Sequence, residues 1–201
     1  MHKSKWVYFI VFLLISMTNQ PFTNEFEDLI HKSSNNSSTK NTISWNGIIN
    51  LDTDYTVSGN DILTIQSCTE INLEQGVRLI IEGRLIVEGT ESCPVIMDNQ
   101  GTGDHMGIAF ESISKNKASK VENLTIRNSD YGITIFSSNP EFRNLVIENS
   151  DKVGIDIYNG ATPQFENVFI EGGGKDEHGG GNTNWRYGIG ISIGNLSTPI
   201  F

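Results

Sequence analysis

The chain repeats a segment about every 22 residues, and this repeat constrains the fold more than any other feature of the sequence. NLTIRNSDYGITIFSSNPEF, from Asn123, is followed by NLVIENSDKVGIDIYNGATPQF, from Asn144, and NVFIEG begins a third copy at Asn167. The first two copies start 21 residues apart, and the next two start 23 residues apart. A fixed period of this length indicates units that stack on one another and share a core.

Apolar and polar residues alternate within each copy, which is the period of a β-strand with one buried face. Such short strands cannot bury their apolar sides alone. We therefore expect successive copies to stack as parallel strands about 4.8 Å apart in an all-β solenoid. The expected core positions are Leu124, Ile126, Ile133 and Ile135 in the first copy, Leu145, Ile147, Ile155 and Ile157 in the second, and Val168, Ile170, Ile189 and Ile191 in the third.

A glycine precedes the paired isoleucines of each copy, at Gly132, Gly154 and Gly188. We expect these glycines where the chain bends into a strand and leaves no room for a side chain.

Asparagines recur at equivalent places of the repeat. Asn128 and Asn149 follow Asn123 and Asn144 by five residues, and Asn167 opens the third copy. Stacked side-chain amides can hydrogen-bond to the copies above and below, so we predict an internal asparagine ladder. The alternative is that these residues are exposed turn asparagines.

The pattern N-L-x-I-x-N-S followed by G-I-x-I resembles the coils of right-handed parallel β-helix proteins, the pectin-lyase-like superfamily. ILTIQSCTEINLEQGVRLIIEGRLIVEGTESCPVIMDN, residues 62–99, resembles the first coils of secreted microbial members. The resemblance covers residues 45–201 and implies a right-handed, single-stranded parallel β-helix of about six coils. It does not imply an activity, because this fold hosts lyases, hydrolases, adhesins and inert scaffolds.

The N-terminus reads as an export signal. Residues 1–18 carry lysines followed by an apolar run from Trp6 to Met17, as in a secretory signal peptide. Twelve helical residues reach only about 18 Å, against a hydrocarbon core of about 30 Å. We expect a secreted or cell-surface protein. The alternative is that the N-terminal segment stays uncleaved, which would be its only attachment to a membrane. Residues 19–44, rich in Ser, Asn and Thr, are predicted to be a disordered linker.

Cys68 and Cys93 are separated by 25 residues, close to the length of one coil. Residues one coil apart lie within disulfide reach, and an exported protein can keep the bond oxidised. The alternative is two buried thiols.

The formal net charge of -10 argues against a nucleic-acid partner, which requires a basic surface. We expect a polysaccharide or a cell-surface protein instead. The sequence ends at a repeat junction, Pro199-Ile200-Phe201, without a polar cap. The β-helix is therefore expected to pack against further coils of the same chain, or to be a fragment truncated at its C-terminus.

No catalytic motif is complete. Residues 190–194 fit G-x-S-x-G, but no acid or histidine follows them. Asp130 and Asp151 would stack on one edge beside Arg127 and Lys152, which makes them weak candidates for a calcium site. Ordinary turn aspartates are the alternative. We predict no cofactor and no catalysis; the alternative is a polysaccharide lyase or glycoside hydrolase whose catalytic coils are missing or degenerate.

One insertion interrupts the repeat. The distance from Gly154 to Gly188 is 34 residues, whereas that from Gly132 to Gly154 is 22. Solenoids display binding loops by such insertions. The alternative is a flexible glycine loop with its Trp folded back on the solenoid. The candidate binding residues in the insertion are Lys175, Asp176, Glu177, His178, Trp185, Arg186 and Tyr187.

Overall fold

The computed structural model describes residues 40–172 and 189–201. The predicted signal peptide and most of the predicted linker lie outside these residues. Within residues 40–172 and 189–201, no helix has the length and hydrophobicity needed to cross a membrane.

The described residues form a parallel β-solenoid of about six turns, which confirms the predicted fold class. Each coil contributes strands to three faces, which we call A, B and C in chain order. Face A holds β1 (Thr42–Trp45), β4 (Ile62–Gln66) and β7 (Arg84–Glu88); face B holds β2 (Ile48–Leu51), β5 (Glu70–Leu73) and β8 (Val95–Asn99); face C holds β3 (Tyr55–Val57), β6 (Leu79–Ile81) and β9 (Ile108–Phe110).

From the fourth coil onward, strands continue from one face to the next. A short 3-10 helix, Ser112–Ser114, precedes this part of the chain. Strands β10 (Lys120–Phe136) and β11 (Glu141–Tyr158) each cover all three faces, β12 (Gln164–Glu171) covers faces A and B, and β13 (Ile189–Ile193) covers face C. The pairs between these strands are parallel, as in the earlier coils.

The first coil begins earlier than the predicted boundary at residue 45. Thr42 pairs with Ile62, and Trp45 at the end of the same strand is buried. Residues 42–44, which the sequence assigned to the linker, therefore belong to the solenoid.

Like side chains pile into inward columns, as the alternation predicts. Ile108, Ile133 and Ile155 pair in succession on face C and are fully buried. On face A, the rings of Phe142 and Phe165 stack with their centroids 5.1 Å apart. The parallel register thus converts a sequence period into a continuous core.

The register of the sixth coil corrects the sequence alignment by two residues. Ile155 pairs with Ile191, and Val153 pairs with Ile189. Gly190, rather than Gly188, therefore occupies the place of Gly154, and Gly188 itself lies outside the described residues. The segment GIGISIG repeats every second residue, so a shift of two keeps the same side chains inward and cannot be detected from alternation.

The glycine column has a steric cause. A methyl group at Gly132 would lie 2.6 Å from the carbonyl oxygen of Gly154 and 2.9 Å from Cγ2 of Ile147. Real Cβ atoms do not approach other atoms so closely, so only glycine fits beneath the next coil.

The asparagines form two ladders, and both lie at corners of the solenoid rather than in its interior. At the A–B corner, Asn144 Nδ2 donates to Asn123 Oδ1 at 3.0 Å, and Asn167 donates to Asn144 at 3.1 Å. At the B–C corner, Asn149 Nδ2 donates to Asn128 Oδ1 at 3.4 Å. All five residues have φ between 50° and 57°, the left-handed turn conformation that asparagine tolerates. They are half-buried or exposed, so they are both stacked and turn residues.

A disulfide joins Cys68 to Cys93, with the Cα atoms 4.9 Å apart. Cys68 lies between β4 and β5, and Cys93 between β7 and β8. The bond therefore ties the A–B corner of the second coil to that of the third.

Candidate functional site

Three carboxylates meet at the corner between faces B and C. Asp104 comes from the 100–107 connection, Asp130 from β10 and Asp151 from β11, and their oxygens lie within 4.8 Å of one another. The buried pair of Ser129 and Ser150 places the two strand aspartates side by side, because each aspartate follows its serine. We call these three residues the aspartate cluster.

The structure thus brings Asp130 and Asp151 together, as the repeat predicts, and adds Asp104. This third member precedes the recognisable repeats, so no sequence period relates it to the other two.

A local irregularity supplies a cation to the cluster. The register of β10 and β11 shifts between Ser129 and Tyr131, because the fifth coil has one more residue at this corner. Lys152 Nζ lies 3.0 Å from Asp130 Oδ2 and 5.5 Å from the centroid of the Tyr131 ring. The cluster is therefore partly neutralised by an ammonium group that also contacts an aromatic ring.

The second basic side chain expected at this edge is also paired. Arg127 Nε donates to Glu148 Oε2 at 2.8 Å on the outside of face B. Both Arg127 and Lys152 are thus held by carboxylates, and an ammonium or guanidinium group held in this way is a poor general base.

Calcium can be considered as a ligand of the aspartate cluster, because Ca²⁺ binds carboxylate oxygens. A cation there would have to displace Lys152 from Asp130 or share that carboxylate with it. A calcium site therefore stays a prediction, and it would have to accommodate the ion pair between Lys152 and Asp130.

His105 lies beneath the cluster and was not identified from the sequence. Its side chain is fully buried, Nδ1 accepts from the backbone N–H of Gly107 at 2.9 Å, and Nε2 lies 2.9 Å from the carbonyl oxygen of Arg127. A carbonyl can only accept, so Nε2 carries the proton and the ring is neutral. This histidine secures the 100–107 connection, which carries Asp104, to the fourth coil.

Burial lowers the pKa of His105 below its usual value of 6.5, against the opposing effects of the bond to Arg127 and of Asp98 and Asp130. As the pH falls, His105 is therefore protonated at a higher pH in the unfolded chain than in the folded chain. The stability that His105 contributes is present above pH 6.5 and is lost as the pH falls through the lower, folded-state pKa.

We expect the free energy of unfolding, measured with urea, to fall between pH 7.5 and pH 5.5. His105→Asn should cost about 1–3 kcal/mol at pH 7.5, because the carbonyl of Arg127 loses its donor. The same variant should show a smaller change with pH than the natural chain. An identical pH dependence in both proteins would contradict the assignment to His105.

In the sixth coil, one segment joins face B to face C. It runs over residues 172–188, between the end of β12 on face B and the start of β13 on face C. The seven predicted binding residues belong to this connection and lie outside the described residues.

An open hollow of about 640 Å³ lies at the end of the sixth coil, lined by residues that include Phe165, Val168, Ile170 and Ile191. Its lining continues the inward columns of faces A, B and C. The hollow is therefore the solenoid core seen end-on rather than a ligand pocket.

Comparison of the chain with protein-family models, with curated proteins and with solved structures finds no match. The resemblance to the pectin-lyase-like superfamily stays a prediction.

Proposed function

We propose that the chain is a non-catalytic recognition module, secreted or displayed at the cell surface, whose B–C corner binds a polysaccharide or a cell-surface protein. One observation carries the proposal: the aspartate cluster with Lys152 lies at the corner between the two faces, B and C, that residues 172–188 join. Insertions on one side of a rigid repeat scaffold are typical of binding surfaces.

The rigidity of the corner supports a recognition role. Asp130 and Asp151 lie on strands that pair through most of their length, and the buried hydroxyls of Ser129 and Ser150 contact each other at 3.0 Å. Polar groups fixed by the fold lose little conformational entropy when a partner binds. Carboxylates can accept from sugar hydroxyls or protein donors, while the Tyr131 ring offers an apolar contact.

The pairing of Arg127 with Glu148 and of Lys152 with Asp130 favours recognition over the lyase alternative. A lyase needs a base that can accept a proton beside its carboxylates. We also propose membership of the pectin-lyase-like superfamily, supported by the three-faced coils and the asparagine ladders.

Binding of the full chain to a glycan array and to cell-surface extracts tests the recognition role. Tyr131→Ala combined with Lys152→Ala is expected to weaken binding at least about tenfold, the loss typical of central contact residues. Lys120→Ala is the matched control, because Lys120 also forms a surface ion pair but lies on face A. A second variant, Trp185→Ala with Arg186→Ala, tests the long connection.

An assay on polygalacturonate and alginate, with and without calcium, separates this proposal from the enzyme alternative. We expect no unsaturated or hydrolysed products. Turnover of either polymer, or equal binding by the Tyr131/Lys152 variant and the Lys120 control, would overturn the proposal.

A further inference from the structure

We infer that the outer side of face C, at the ends of β10 and β11, binds a neutral or amino-sugar glycan in preference to a polyuronate. This inference deepens the proposed recognition role and rests on it. It adds a second contact area to the one at the B–C corner. We call this second area the aromatic patch and define it by Thr134, Phe136, Asp156 and Tyr158.

The strand register sets the geometry of the aromatic patch. Thr134 pairs with Asp156, and Phe136 pairs with Tyr158. The isoleucines that alternate with them are fully buried, so these four side chains point outward. The rings of Phe136 and Tyr158 are 5.1 Å apart between centroids, with an angle of 55° between their planes, and both side chains are half-buried.

The neighbours of the ring pair in the sixth coil are small. Ser192 pairs with Asp156, and a methyl group at Gly194 would lie 3.5 Å from Cβ of Tyr158. On the opposite side, Thr134 pairs with Ala109, which is buried. On the side of the sixth coil, the two rings therefore stand beside residues with short side chains, which suits contact with the apolar side of a sugar ring.

Polar groups suited to sugar hydroxyls accompany the rings. Burial raises the pKa of Tyr158, and the nearby carboxylates of Glu111 and Asp156 raise it further. The phenol thus remains a hydrogen-bond donor at neutral and mildly alkaline pH, while the two carboxylates are acceptors. A ring pair flanked by a donor and two acceptors matches a polyhydroxylated ligand.

The charged side chains around the aromatic patch distinguish between anionic, neutral and cationic glycans. Glu111 and Asp156 contribute negative charge at the patch, and the aspartate cluster lies at the other edge of the same face. Arg78 acts on Tyr158 with positive charge, and Lys152 pairs with Asp130 in the cluster. Carboxylates therefore stand at both edges of face C, and the whole chain carries a formal charge of -10. A polyuronate would be repelled, a neutral glycan accepted and an amino sugar attracted.

Calorimetric titration of the full chain with a chitosan hexamer, cellohexaose and polygalacturonate tests this inference. We expect the first two to bind and polygalacturonate to bind at least about tenfold more weakly. Phe136→Ala with Tyr158→Ala should lower affinity for both oligosaccharides about tenfold, as expected for two ring contacts. Tyr158→Phe, which keeps the ring, should retain most of the affinity.

Phe169→Ala is the matched control, because Phe169 is an aromatic side chain on the outside of face B and is 55% exposed. It should leave binding unchanged. Glu111→Gln with Asp156→Asn should weaken the chitosan hexamer more than cellohexaose. Circular dichroism and the unfolding midpoint verify that each variant is folded.

Three results would overturn the inference. They are equal or tighter binding of polygalacturonate, oligosaccharide binding unaffected by the Phe136/Tyr158 variant, and no binding of any of the three probes. If the Tyr131/Lys152 variant alone loses binding, the recognition role survives and the aromatic patch does not. If the natural chain binds neither glycans nor cell-surface extract, both the recognition role and the aromatic patch are ruled out.

Discussion

Replacing Gly107 with alanine is expected to lower the free energy of unfolding by about 4 kcal/mol or more, a loss typical of a direct steric conflict. A methyl group at Gly107 would overlap the carbonyl oxygens of Tyr131 and Gly132. Both oxygens belong to the backbone of β10, which pairs with neighbouring coils and cannot give way as a flexible side chain would. Gly107 also has φ of +64°, which costs an L-residue about 1–2 kcal/mol.

Gly160→Ala is the matched control for this prediction. Gly160 has φ of +72°, but no atom lies within 4 Å of the methyl group that alanine would add. Gly160→Ala should therefore lower the free energy of unfolding only by the cost of the backbone conformation, about 1 kcal/mol. Urea unfolding of both variants measures the difference. Equal losses at the two positions would show that the 100–107 connection does not lie against β10 as described.

Removing the disulfide is expected to lower the free energy of unfolding by about 3–4 kcal/mol. The bond closes a loop with a sequence separation of 25, and the chain-entropy model predicts a stabilisation of this size. Cys68→Ser with Cys93→Ser removes the bond, and urea unfolding in the presence and absence of reductant measures its contribution. Reductant should destabilise the natural chain and leave the double variant unchanged.

Mass spectrometry under non-reducing conditions provides an independent check. A mass corresponding to two free thiols in the purified protein would contradict the bridge. Because a domain of this kind has a total stability of about 5–15 kcal/mol, loss of either Gly107 or the disulfide would remove a large part of it.

The repeat period allowed the stacking of coils to be predicted with residue-level detail. Ile133 and Ile155 pair and are buried, and Cys68 and Cys93 are joined across one coil. Stacked asparagines were also predicted, and their place at corners agrees with the turn position that the sequence left as the alternative. In each case the repeat period places equivalent residues above one another. The alternation of apolar and polar residues indicates which side chains point inward.

Two of the three members of the aspartate cluster were predicted to lie together, and Asp104 was not, because only the first two are related by the repeat. Asp130 and Asp151 are related by the repeat, whereas Asp104 and His105 lie in a connection that the continuous strands β10 and β11 do not have. Nothing local indicates that this connection folds back on β10. Its position depends on the bonds that His105 makes to Gly107 and Arg127.

The stacking of coils of about 22 residues, and the inward positions of the fourth and fifth coils, can be derived from the sequence alone, because strand alternation and repeat length are local properties. Only the tertiary structure decided that Gly190 rather than Gly188 opposes Gly154, and that Asp104 joins the aspartate cluster. It likewise decided that Phe136 and Tyr158 form a pair on the outside of face C. A shift of the strand register by two residues leaves the alternation of apolar and polar residues unchanged. The alternation also carries no information about connections that do not repeat. The packing of one coil on the next removes both ambiguities.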